Sequence, residues 1–445
     1  MKKFLYILAT SLIVMVVFLS YQIISGQYDK QNVFIIKMKE IVPKSFKNNI
    51  KNLTYELRRI LNEDKDEELQ KTKFNQGLNG ELIQSKIFKT NKSSTKYSVR
   101  EFFLPFNRLD LNYGWKSILN AKRAHYFDTF QDRIIAVSGE GDFIYFATKN
   151  FNSDKLNQTK IQSNLNQFLK TNKLTFIGLR DLLIDNNKVY ISVILKDKSE
   201  KYTMSILSSE LNFKNLKFEI FFETSLNLPE YSIGSGGRIV NYKNNEILFS
   251  VGHFDLIDEI QDPGHIAGKI ISINKISKQK KLISLGHRNA QGLFYFKDDQ
   301  NEYIINSEHG PKGGDEVNIS SLNINRIHNF GWPISSYGVN YDGTNPYKPS
   351  HKDYGYDEPF VNFTPSIGIS EISVINKSNL NIIYVSSLRA QSIYIIEANK
   401  KFTKVLNKDR LKLDYRIRDI KFIKSLDGFV VIFENIPSIG FIKKI

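Results

Sequence analysis

GLFYFKDDQNEYIINSEHG, residues 292–310, sets two apolar runs, Leu293 to Phe296 and Tyr303 to Ile305, on either side of a polar stretch from Lys297 to Asn301. Aromatic and β-branched residues pack well on a pleated surface, whereas Asp and Asn close turns through their own side chains. The stretch therefore reads as strand, turn, strand. RIVNYKNNEILFSVG from Arg238, IIYVSSLRAQSIYIIEA from Ile382, DIKFIKSLDGFVVIFENI from Asp419 and RIIAVSGEGDFIYFA from Arg133 repeat the pattern, and KVYISVIL from Lys188 reads as a further single strand.

The hairpins recur at a near-constant interval. Asp181, Gly237 and Gly292 open comparable units 56 and 55 residues apart. Four strands fit in that interval, and about 350 residues at this spacing make six units, which predicts an all-β, six-bladed β-propeller over residues 98–445. A β-sandwich with insertions would use similar hairpins but needs no such period.

Composition agrees with a large packed β-structure. Of the 445 residues 41% are apolar and 13% aromatic, well above what a disordered chain carries. The net charge of +16 comes from lysines scattered along the chain without a basic block, which argues against nucleic acid as a partner. The absence of cysteine removes disulfides, thiolate metal sites and cysteine nucleophiles together.

The N-terminal region has a different texture. Lys2 and Lys3 precede an uncharged run, residues 4–24, long enough for a helix to cross a bilayer, and no small-x-small cleavage site closes it. Residues 1–25 are expected to be an uncleaved signal anchor in the cytoplasmic membrane, with the two lysines inside and the rest on the periplasmic or extracytoplasmic side. Residues 26–97, with YELRRILNEDKDEELQKTK from Tyr55 as their clearest piece, are expected to form a membrane-proximal helical stalk.

Three motifs carry a resemblance. GHRNAQGL from Gly286, SEHGPKGGDEVNI from Ser307 and NFGWP from Asn329 resemble, in order and spacing, the pyrroloquinoline-quinone (PQQ)-dependent glucose/sorbosone and aldose sugar dehydrogenases, which are six-bladed propellers. The resemblance runs from about Gly178 to the C-terminus. It implies oxidation of an aldose, with hydride passing to PQQ, a Ca2+ ion polarising the cofactor and a sugar as the small-molecule substrate; the electron acceptor stays open.

Residue by residue, the resemblance nominates Arg288, Asn289, His309, Ser366, Arg389, Arg416 and Arg418 for the cofactor. It nominates the Gly310 and Pro311 carbonyls for the bridging calcium, and Asp315, Glu316 and Asp342 for a second, structural calcium. The chemistry is reasonable in its own terms, since guanidinium forks pair with carboxylates and calcium takes oxygen ligands. Arg416 and Arg418, two apart on a strand, share one face and repel each other unless an anion lies between them. His287 is read as a turn residue, buried and hydrogen-bonded within its blade. Outside the family context, GPKGGDE is a flexible glycine turn with solvated carboxylates.

The chain departs from the family pattern at the base. The family's catalytic histidine would fall at about Gly234 in YSIGSGGRIVNY, and glycine cannot accept a proton. His253, His265 and Asp181 are the replacement candidates. Other departures are Leu179 where the family has a polar residue, followed by charged Arg180 and Asp181, and Ala290 in place of proline. The competing expectation is a non-catalytic propeller that binds a cofactor, sugar or protein partner.

Overall fold

The structure is a computed structural model that describes residues 79–107, 121–434 and 436–445. Six sheets of four or five strands, antiparallel except where the short strands Asn215–Leu216 and His328–Asn329 add in parallel at an outer edge, succeed one another along the chain, and their inner strands pack side by side in a closed ring. These inner strands are Tyr126–Phe130, Thr175–Asp185, Gly236–Tyr242, Ala290–Lys297, Ile369–Asn376 and Ile417–Ile423, here blades one to six. The architecture is a six-bladed β-propeller, as the period predicted. Asp181, Gly237 and Gly292 lie on consecutive inner strands, so the interval seen in the sequence is the step from blade to blade.

The ring closes through the two ends of the domain. In blade six, Ile417–Ile423, Gly428–Phe433 and Ser438–Lys444 are joined by Lys96–Phe103, which pairs antiparallel with Ser438–Lys444, and Leu82–Lys89 forms the outer edge. The sheet thus begins before residue 98: Leu82–Lys89 is a strand, not part of a helical stalk. Its side chains are mostly half-exposed or exposed, and such a polar edge strand lacks the apolar run that identifies the others. The predicted anchor and the stalk as far as residue 78 lie outside the described residues, and Lys96 and Tyr97 at the stalk's far end already belong to the strand Lys96–Phe103. Among the described residues no helix is long and apolar enough to cross a membrane.

Stability comes from the wedges between blades. Phe127, Ile134, Val430 and Ile432 fill the junction of blades six and one, and Tyr190, Met204, Ile247 and Phe249 that of two and three. Four further apolar clusters fill the other junctions. Full burial of each such side chain contributes about 1.5–3 kcal/mol.

Inner strands of blades two to six each carry a register shift near their start, at Leu179/Asp181, Gly236/Ile239, Ala290/Gly292, Ile369/Ile372 and Ile417/Asp419. A bulge re-aims side chains and breaks strict alternation. Here the bulged positions hold Arg180, Arg238, Gln291, Glu371 and Arg418, which supply the polar groups of the axis.

Candidate active site

Arg238 is the hub of the axis. It is 2% exposed, and its guanidinium meets Asp181 at 2.7 Å, Glu371 at 2.5 Å and Asp419 at 3.3 Å, while its Nε donates to the Gln291 carbonyl at 2.7 Å. Four other inner strands therefore converge on one side chain. The carboxylates also staple blade to blade: Asp181 accepts the Ile239 amide, Glu371 the Leu293 amide and Asp419 the Phe127 amide. Burial pushes Asp181 up to about 6 against the pull of Arg238, and pushes Glu371 up to about 8 for the same reason, with Asp419 and Asp181 adding repulsion. Burial disfavours the Arg238 charge, but the three carboxylates more than offset it and raise its pKa.

A second polar seam contains most of the residues nominated for the cofactor. Arg418 Nη1 donates to Gln291 Oε1 at 3.0 Å, Gln291 Nε2 to Asn289 Oδ1 at 2.8 Å, and the Gly236 amide also reaches Asn289 Oδ1. The Asn289 carbonyl accepts the His309 amide at 2.9 Å. Arg288 Nη1 donates to the His309 and Gly310 carbonyls, at 2.9 and 3.1 Å, and its guanidinium lies 5.3 Å from the Trp332 ring centre. Ser366 Oγ donates to the Pro311 carbonyl and accepts the Gly313 amide, while Arg389 Nη1 donates to the Ser366 carbonyl at 2.6 Å. The structure thus brings Arg288, Asn289, His309, Gly310, Pro311, Ser366, Arg389 and Arg418 into one network. His287 is fully buried between Ser284 and Glu308, a turn residue as expected.

The anion between Arg416 and Arg418 is the chain's own. Glu434 accepts from Arg416 Nε at 3.1 Å and Nη2 at 3.0 Å, and from Arg418 Nε at 2.5 Å, with Arg123 3.9 Å away. Burial would raise this carboxyl, but Arg418, Arg416 and Arg123 hold it well below the usual carboxylate range. The expectation that the pair requires an external anion is therefore corrected. Nothing in the sequence marks Glu434, which sits just beyond the strand Gly428–Phe433; the pairing of Ile417 with Phe433 is what brings it beside Arg416.

The nominated second calcium site is not assembled. Asp315 and Glu316 are neighbours on one strand, so their side chains point to opposite faces. Asp315 meets His309 Nδ1 at 2.7 Å and accepts the Ile369 amide; Glu316 faces His351 at 3.4 Å. Asp342 is exposed in a separate loop, where it accepts from Thr344. Among the described residues no group of three or more His, Asp or Glu side chains is arranged to hold a metal. The Gly310 and Pro311 carbonyls line a cleft with Arg288, Glu308, Trp332 and His351, but each already accepts a hydrogen bond, the first from a guanidinium. These residues fit a carboxylated planar ligand better than a cation: Arg288 Nε is buried without a partner, and Arg288 and Arg389 meet no carboxylate within 4 Å among the described residues.

None of the replacement bases is poised to accept a proton. Asp181 is saturated by Arg238 and the Ile239 amide. His265 keeps its Nδ1 on the Ala267 amide within its own turn. His253 is the informative one, because a Cβ on Gly234 would lie 2.2 Å from its Nε2. Its imidazole packs into the space a side chain at 234 would enter. Burial and the nearby Arg288 lower its pKa to about 4, so the ring is neutral at physiological pH. Its Nδ1 accepts the Asp255 amide at 3.1 Å, which puts the proton on Nε2 and makes that atom a donor.

The fold and motifs agree with known proteins. A glucose/sorbosone dehydrogenase family profile matches residues 177–438. The aldose sugar dehydrogenase YliI of Escherichia coli is 25% identical over 227 residues, 46% of this chain and 58% of that protein. An uncharacterized protein of Synechocystis sp. is 25% identical over 210 residues, 45% of this chain and 49% of that one. The chain thus spans about half the length of the curated relatives it matches. Among solved structures, the soluble aldose sugar dehydrogenase from Escherichia coli in its apo-form superimposes with a TM-score of 0.57 at 18% identity, covering 72% of this chain and 95% of that one. The PQQ-bound aldose sugar dehydrogenase from Streptomyces coelicolor gives a TM-score of 0.51 at 16% identity, with coverage of 70% and 91%. At these identities the structural likeness establishes the propeller; the profile, spanning more than half of the residues, establishes that the chain belongs to the glucose/sorbosone dehydrogenase family.

Proposed function

We propose that the protein is a PQQ-dependent dehydrogenase acting on an aldose sugar or a related alcohol. The observation that carries this reading is the continuous seam from Arg418 through Gln291, Asn289 and Arg288 to Ser366 and Arg389, with two guanidiniums that meet no carboxylate among the described residues. In this reading Arg288, Asn289, Arg389, Arg416 and Arg418 hold the carboxylates and quinone oxygens of the cofactor by charge-assisted hydrogen bonds. When bound, the quinone supplies the hydride acceptor.

The chain's own residues orient and enclose that group. Gln291 holds Asn289 and Arg418 in register, and Trp332 gives the Arg288 guanidinium a flat apolar support. Calcium has the weaker claim, resting on the Gly310 and Pro311 carbonyls alone. The uncharged run at residues 4–24 supports attachment to the cytoplasmic membrane with the propeller on the outer side.

A second reading, a binding propeller without turnover, is favoured by Gly234 and by the Nε2–H tautomer of His253, which together leave no proton acceptor at the position of the family's histidine. The deciding experiment is reconstitution of the full-length protein with PQQ, with and without calcium, followed by dye reduction with a panel of aldoses. Dye reduction supports the dehydrogenase; tight quinone binding without dye reduction supports the binding module; absence of quinone binding rejects both.

A further inference from the structure

Arg180 is the extra residue of the bulge between Leu179 and Asp181 on the inner strand of blade two. Unlike Arg238 on the next blade, which three carboxylates surround, Arg180 meets no carboxylate within 4 Å among the described residues. Its partner is neutral: Nη2 donates to the Tyr231 hydroxyl at 2.6 Å, and the guanidinium lies 5.8 Å from that ring's centre. Its Nε is buried with no hydrogen-bond partner. A half-buried guanidinium that has given up water without gaining a counter-ion is costly, and a bound anion removes the cost.

The surrounding chain makes room for this side chain. Gly237 has φ +104°, and a Cβ there would lie 2.4 Å from the Arg180 Cβ, so glycine is what lets Arg180 pass. Tyr231 opens the YSIGSGG segment, in which the family's histidine is missing. Since its hydroxyl oxygen accepts from Arg180, its own proton is available to donate. With Nη2 committed to Tyr231, Arg180 Nη1 and the Tyr231 hydroxyl proton remain as donors for one small anionic group. Two of the departures from the family pattern fall here: the charge after Leu179 is Arg180 itself, and Gly234 lies three residues beyond Tyr231.

We propose that Arg180 and Tyr231 form an anion subsite and that the sugar bound by this protein is acidic, carrying a carboxylate or a phosphate. The proposal rests on the sugar-dehydrogenase reading above and narrows its substrate class. It predicts that neutral aldoses are the poorer ligands.

The test is calorimetric titration of the full-length protein, both quinone-free and quinone-loaded, with D-glucuronate, D-glucose 6-phosphate and D-glucose. At least one anionic sugar is expected to bind about 10-fold or more tighter than glucose, and the two anions separate carboxylate from phosphate recognition. Arg180→Gln is expected to abolish that preference, Arg180→Lys to retain part of it, and Tyr231→Phe to weaken it while leaving the fold intact by circular dichroism. Equal binding of all three sugars, no binding of any, or a preference that survives Arg180→Gln would overturn the proposal. So would a loss of quinone affinity in Arg180→Gln with the sugar preference unchanged, because the guanidinium would then belong to the cofactor. Quinone binding is followed separately by absorbance; its failure overturns the dehydrogenase reading, and the sugar preference is still scored on the quinone-free protein.

Discussion

Glu434 Oε1 receives the Nε of Arg418 at 2.5 Å, closing a buried ion pair on one of the arginines proposed to hold an anionic cofactor. With Arg416 on its other oxygen, the glutamate is both a brace for blade six and a competitor for the cofactor's carboxylates. A cofactor reaching these arginines must share them with it.

Glu434→Gln separates the two roles. Removing the charge is expected to destabilise the fold by about 3–5 kcal/mol, the cost of stranding buried arginines, while tightening PQQ about 10-fold. Denaturant unfolding and quinone titration on the same variant check this. Weaker quinone binding would show that Glu434 positions the arginines rather than competing for them.

Arg238→Gln is expected to be among the most damaging single substitutions in the propeller. It leaves Asp181, Glu371 and Asp419 buried without their cation, at a cost of about 3–5 kcal/mol. Adding Glu371→Gln should recover part of the loss at pH 8 and above, where Glu371 would otherwise carry charge beside Asp181 and Asp419. Unfolding curves of the two variants measure the difference; no recovery would mean that the hydrogen bonds of Glu371 to the Leu293 and Ile372 amides matter more than its charge.

The same cluster sets a pH dependence. Glu371 rises from 4.5 to about 8 on folding, so between these values the folded state holds a proton that the unfolded state has released. Its contribution to stability is full below pH 4.5 and is lost as pH rises towards 8, at a slope of up to about 1.4 kcal/mol per pH unit. Glu371→Gln is expected to flatten the fall in melting temperature across this window, and an unchanged profile would remove Glu371 as its source.

Gly234 and His253 are expected to couple. Gly234→Ala puts a methyl group where the imidazole lies and should destabilise the protein by about 1–3 kcal/mol, whereas in a His253→Ala background the same change should cost much less. A double-mutant cycle by denaturation gives the coupling. Additive effects would show that the ring moves aside freely.

Much of this structure was legible because its signals are local. Apolar runs such as Leu293 to Phe296 and turns such as KDDQN declare hairpins, and the interval between Asp181, Gly237 and Gly292 counts blades. Leu82–Lys89 was not legible, because an outer edge strand that buries little needs no apolar run. Within the site, Arg288, Asn289 and Arg389 came from continuous motifs. Glu434, Arg123 and the Arg180–Tyr231 pair depend on which strands lie next to one another, and the separate faces of Asp315 and Glu316 depend on strand alternation that a motif match ignores.

The central claim is that the seam around Arg288 and Arg389 binds PQQ, and equilibrium titration of the full-length protein with the quinone, read by absorbance, tests it most directly. The account predicts saturable one-to-one binding with Kd at about 1 μM or below, weakened about 10-fold or more in both Arg288→Gln and Arg389→Gln. No saturable binding up to about 1 mM, or binding indifferent to both substitutions, would contradict it.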